Sequence, residues 1–228
     1  KQIAYSLLYE LLLRARRSDG VRNYYDVGII CYSDDKVLSA FDDRWYLPIS
    51  SIANFAQQNQ RGDLLIERLE QFTTHGSTPM LGMLLRVEQI LKEWTEKEEN
   101  RESIAPIFIN ITDGMATDAT EEILIGTAER ISQIATKRGR VMILQNHLST
   151  SGEMKPIIFP HSIDELKADR YAKMLYRMSS DIPFDLEGEI HSQLGIKRKG
   201  AHKLMAYNCS PSDIISLLSI GTSAIRRE

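Results

Sequence analysis

The chain has 228 residues, 43% hydrophobic and 26% charged, a composition that reads as one globular domain of residues 1–228, long enough to bury a core of two or three layers. Twenty-eight Lys plus Arg against 31 Asp plus Glu leave a net charge of −3, so no global field favours nucleic acid or anionic lipid as a partner. No apolar stretch approaches the ~20 residues of a membrane span, and two cysteines exclude a disulfide framework, which points to a reducing, cytoplasmic setting.

In chain order, Ile3, Leu7, Leu8, Leu11 and Leu12 recur at helical spacing and predict an amphipathic helix over 2–17, ending in Arg14-Ala15-Arg16-Arg17. Tyr24 to Ser33 reads as a strand, with Cys31 as a small core residue and Asp34-Asp35 as its solvated end. Lys36–Phe41 and Asp43–Ser50 read as two short strands, the second limited by Pro48. From Ser50 to Gly76 the pattern is irregular, with a short helix around Leu64–Phe72. The tripeptide Arg61-Gly62-Asp63 is too short a match to carry an adhesion claim.

A helix is expected from Met80 to Glu99, through Leu81, Leu84, Leu85, Ile90, Leu91 and Trp94. Ile104, Ile107, Phe108, Ile109 and Ile111 then read as a strand buried on both faces, followed at once by Thr112, Asp113 and Gly114. A helix over 120–137, strands over 140–148 and 156–160, a helix over 164–178, a strand over 203–209 and a closing helix over 211–219, with Ser210 as its N-cap, complete the chain. Residues 179–202 are less regular and read as an insertion, lid or loop; their Lys197-Arg198-Lys199 cluster reads as a solvated turn. Helices and strands in alternation predict an α/β fold, doubly wound, with a mostly parallel sheet and helices on both faces.

A carboxylate at the carboxyl end of a buried strand stands where open α/β sheets keep their ligands, and equally where any strand turns polar on reaching solvent. Asp113 is therefore either a ligand-engaging residue or a turn residue. Thr78 precedes Pro79 and either joins a site or caps the helix that Pro79 opens. Asp118 is expected to cap the helix beginning near Ala119 or to rim the site. His147, His161, His191 and His202 lack metal-ligand spacing and read as scattered surface or capping residues.

The segment "ITDGMATD" resembles the fourth-strand signature of von Willebrand factor A (vWA) domains, a Rossmann-like family. "HGSTPMLGMLL" is similar to that family's threonine loop, and Tyr24–Ser33 and 203–223 fit its second strand and its last strand and helix. The resemblance covers most of the chain outside 179–202 and is closest to the bacterial intracellular type. It implies a metal-ion-dependent adhesion site with Thr78 and Asp113 as ligands of Mg²⁺ or Mn²⁺. It further implies a non-enzymatic interaction module whose protein partner presents an acidic side chain to the ion. The family's D-x-S-x-S loop is missing. The chain opens with Lys1 on the first helix, so the first strand and its loop are expected to lie upstream of a fragment, or to be replaced by a partner or a reordered sheet. A metal-free scaffold binding through its surface is a second reading, and a metal-dependent phosphoryl-transfer enzyme a third. The latter lacks a D-x-D nucleophile loop or a G-x-x-x-x-G-K-[ST] motif.

Overall fold

A computed structural model describes residues 2–58, 76–148, 155–183 and 202–210. The expected helix 64–72, the closing helix, Arg61-Gly62-Asp63, Lys197-Arg198-Lys199, His191 and most of the 179–202 segment lie outside the described residues. The chain divides into two compact units, one of Lys1–Met83 with Ala116–Asp118 and one of Leu84–Met115 with Ala119–Glu228.

The first unit opens with helix α1 (Gln2–Ala15), two residues shorter than expected, because Arg16–Arg17 (β1) turns back to pair antiparallel with Gly20–Val21 (β2). The expected strand 24–33 is split. Asp26–Val27 (β3) pairs with Leu47–Pro48 (β6), whereas Ile30–Ser33 (β4) forms a hairpin with Lys36–Ser39 (β5). Asp34 and Asp35 are not a frayed strand end but the two-residue turn of that hairpin. Both have positive φ, 51° and 58°, the left-handed pair that matches the twist of hairpin strands and that Asp tolerates. Of the strand expected over 43–50 only Leu47–Pro48 is extended, and helix α2 (Ile49–Gln58) takes over from Ile49 and runs into the stretch expected to be irregular. Leu8, Ala15, Phe41, Leu47, Ile49 and Ile52 form the core of this unit; Cys31, expected in the core, is half-buried. Helix α3 (Met80–Glu96) starts in the first unit and runs into the second.

The second unit is built on a four-stranded mixed sheet. Ile107–Thr112 (β7), Met142–His147 (β10) and Met205–Tyr207 (β12) are parallel, and Ile157–Ile158 (β11) lies antiparallel beside β12, in the order β11-β12-β10-β7. The expected α/β class with a mostly parallel sheet is what the second unit displays. Between these strands come α4 (Glu121–Gln133), the small hairpin Ala135–Thr136 (β8) with Gly139–Arg140 (β9), and α5 (Arg170–Met178). The expected helix 164–178 breaks into a 3₁₀ turn at Ile163–Leu166 and α5, with Lys167 between them at φ 49°.

Polar residues occupy the sheet interior. In β7 the apolar side chains are half-buried while Asn110 and Thr112 are buried, the reverse of a strand sealed on both faces. Asn110 Nδ2 donates to Gln145 Oε1 across the β7–β10 register at 2.7 Å. Gln145 Nε2 and both polar atoms of Asn146 find no hydrogen-bond partner among the described residues, each at a cost of about 1–3 kcal/mol. Glu88 is held by Lys92 at 2.8 Å and by Arg130 at 2.9 Å. The Arg130 hydrogen bond keeps its carboxyl below the usual range against the opposing effect of burial. Among the described residues no helix is long and apolar enough to cross a membrane.

Candidate functional site

The two expected ligands fall in different units, Thr78 in the first and Asp113 in the second. Around Thr78 the chain forms a tight loop against the Asp34-Asp35 turn. Gly76 is at φ 103°, and a Cβ built there would meet Asp34 Oδ1 at 1.8 Å, so only glycine lets the loop approach. Ser77 O accepts from Asp34 N at 3.1 Å, and Ser77 Oγ accepts from Asp35 N at 3.0 Å while donating to Asp35 Oδ1. Thr117 Oγ1 accepts from Thr78 N at 2.9 Å, and Thr78 O accepts from Thr117 N at 3.1 Å.

Asp118 does not cap the helix that follows it. Its carboxylate accepts from Leu81 N at 3.1 Å and Gly82 N at 3.0 Å, closing the first turn of α3 from 36 residues away in sequence. These amides have no partner inside the helix, and a carboxylate there also meets the positive end of its dipole. The capping role open to Thr78 is thus taken by Asp118, and the Thr78 hydroxyl is left without a hydrogen bond among the described residues. Nor does the next helix take a cap from its own N-cap side chain, Thr120.

Asp113 follows β7, is exposed, and its carboxylate accepts no hydrogen bond among the described residues. The residue before it is firmly held. Thr112 is buried, its carbonyl accepts from Leu148 N at 2.9 Å, and its hydroxyl donates to Gly114 O at 3.1 Å and lies 3.4 Å from Tyr171 OH.

At the carboxyl ends of the three parallel strands the sequence reading missed a cluster altogether. His147, expected as a surface or capping residue, is 5% exposed at the end of β10. Its Nδ1 lies 3.4 Å from Thr112 O and its Nε2 3.5 Å from Asp169 Oδ2. Its ring stands edge-on to Tyr171 at 5.2 Å and to Tyr207 at 5.3 Å between ring centres. Asp169 is the N-cap of α5, accepting from Ala172 N at 2.8 Å through Oδ1 and from Tyr207 OH at 3.0 Å through Oδ2. Burial pushes the Tyr171 hydroxyl up to about 12; the Thr112 hydrogen bond opposes the rise and the Asp113 and Asp169 charges add to it. Tyr171 therefore stays a neutral donor at neutral pH.

His202 is also buried, its Nδ1 at 2.9 Å from Phe159 O, and its ring centre is 5.3 Å from that of His161. The signal that was available for His147 was its register: it closes a strand of five buried residues rather than a loop.

Taken separately, Asp113 in the second unit carries a carboxylate and Thr78 in the first a hydroxyl, oxygens of the kind a hard ion takes. No group of three or more His, Cys, Asp or Glu side chains able to hold a metal gathers among the described residues. No family model matches the chain, and no curated protein and no solved structure matches it.

Proposed function

We propose that the chain is a vWA-type interaction module, doubly wound and non-enzymatic, that engages a protein partner through a divalent ion, Mg²⁺ or Mn²⁺, for which Asp113 is the carboxylate ligand and Thr78 the hydroxyl ligand. The pairing of these two residues comes from the sequence resemblance. One observation in each unit supports it: beside Ser77, Thr117 and Asp118, which are committed to neighbours, the Thr78 hydroxyl has no hydrogen bond among the described residues, and beside Thr112 and His147, likewise committed, neither has the Asp113 carboxylate. Uncommitted oxygens are what an ion or a partner can use without first breaking a protein bond. When bound, such an ion offers an open coordination position to an acidic side chain of the partner.

Amide NMR of the whole chain in a Mn²⁺ titration tests this reading. Paramagnetic broadening centred on residues 112–115 and 77–79, and absent in Asp113→Ala, is the expected result. Broadening spread over the acidic surface, unchanged by that substitution, would overturn it.

The second reading is a metal-free scaffold that binds through its surface. The observation that favours it is that Asp118, next to the Thr117 that bonds Thr78, is already occupied by two amides. Under that reading Asp113 meets a basic or hydrogen-bonding group of the partner directly.

A further inference from the structure

We propose that Tyr171 and His147 are positioning residues for Asp113, fixing the end of β7 so that the exposed carboxylate is presented in one place; the inference rests on the reading of Asp113 as the residue that engages the ligand. Asp113 is followed by Gly114 in an irregular stretch, and a strand end of this kind is free to fray. What restrains it is Thr112. Its carbonyl is bonded by Leu148 N and faced by the His147 ring, and its hydroxyl is the meeting point of the Gly114 backbone and Tyr171 OH.

Neither restraint is local in sequence. Tyr171 comes from the first turn of α5, 59 residues on, and His147 from the end of β10, 35 residues on. Both are in turn held by one carboxylate. Asp169 caps α5 through Oδ1, while its Oδ2 takes the Tyr207 hydroxyl and faces His147 Nε2. The N-terminus of a single helix is thereby tied to the carboxyl ends of β7, β10 and β12. Every side chain in the chain of contacts except Asp169 and Asp113 is buried, so water does not compete for its bonds.

A purely structural cluster would stabilise the sheet as a whole, whereas a positioning cluster restrains the Asp113 loop in particular. Tyr171→Phe separates the two, because it keeps the ring and its edge-on packing against His147 and removes the hydroxyl alone. The experiment is amide hydrogen exchange of the whole chain without metal, comparing the parent, Tyr171→Phe and Thr112→Val, the last removing that bond from its other end together with the Thr112–Gly114 bonds. Exchange at Gly114 and Leu148, whose amides bond to Thr112 Oγ1 and Thr112 O, should rise about tenfold or more in both variants, while Ile143 to Gln145 in β10 stay within about twofold. Equal acceleration across β10 would make the cluster structural only and overturn the proposal, as would no change at Gly114 and Leu148.

A Mg²⁺ titration of the same proteins then adds a readout of the site. If the parent binds Mg²⁺, Tyr171→Phe should weaken it by about three- to tenfold, and an unchanged affinity would count against positioning. A parent that ignores Mg²⁺ defeats the metal reading, and the exchange result still decides the positioning.

Discussion

The Thr78 loop and the end of β7 solve the same problem in opposite ways. Each must hold a side-chain oxygen on irregular backbone, on the exposed Asp113 in one case and the half-buried Thr78 in the other. In the first unit the loop is held by short-range polar turns at the surface, where Ser77, Thr117 and Asp118 bond mostly to main-chain amides. In the second the strand end is held from beneath by buried side chains, His147, Tyr171 and Tyr207, gathered from three elements. Surface bonds compete with water and are individually worth about 1 kcal/mol, whereas a bond lost in a buried network leaves its partner unsatisfied at about 1–3 kcal/mol. The first region should therefore respond to substitution in small separate steps, and the second in a few large ones.

The largest step should follow Leu175→Ala. Leu175 is fully buried on α5, the helix that carries Asp169 and Tyr171, and its truncation should cost about 2–5 kcal/mol in urea unfolding. A loss under 1 kcal/mol would mean that α5 is not a fixed support.

Next comes alkaline pH. Because the Tyr171 hydroxyl is pushed from 10.0 up to about 12 in the folded chain, its contribution is fully present below pH 10 and is lost as pH rises through about 12. The loss amounts to about 2–3 kcal/mol. Tyr171→Phe should flatten that part of the stability profile; a profile identical to the parent's would remove Tyr171 from the buried network.

In the first unit, Gly76→Ala must place a methyl group against the Asp34 carboxylate at a strained φ, and about 1–3 kcal/mol should be lost in the same measurement. The smallest step is Asp118→Ala, about 0.5–2 kcal/mol for the lost cap of α3, largely restored by Asn. Losses in this unit as large as that of Leu175→Ala would erase the contrast between the regions.

Much of the fold was legible in the sequence, and the reasons are local. Strand β7 and helix α3 appear within a few residues of their expected bounds, since an apolar β-branched run and a helical apolar period mark the type of element. Which β7 side chains are buried was not legible, for Asn110 and Thr112 are buried and the strand's apolar residues only half so. The split of 24–33 into β3 and β4 was not legible, because period-two patterning does not say which partner each half will take. Asp34-Asp35 lacked the Gly that usually flags a hairpin turn of this type.

Asp113 and Thr78 were readable as candidates because they sit beside Gly and Pro at element ends. Asp118 was readable as a cap but not for the right helix, since its amides lie 36 and 37 residues away. The cluster around His147 was invisible for the same reason: His147, Asp169, Tyr171 and Tyr207 are joined only by folding, and no spacing rule links them.

On the proposed reading Asp113 is a ligand-engaging carboxylate rather than a turn residue. A thermal melt of the chain across a Mg²⁺ titration, against an EDTA control and beside Asp113→Ala, tests it most directly. Binding to the folded state alone should raise the parent's midpoint in step with ion concentration and leave that of Asp113→Ala unmoved. A parent midpoint indifferent to Mg²⁺, or an equal rise in the variant, would contradict the claim and leave Asp113 as the polar end of a strand.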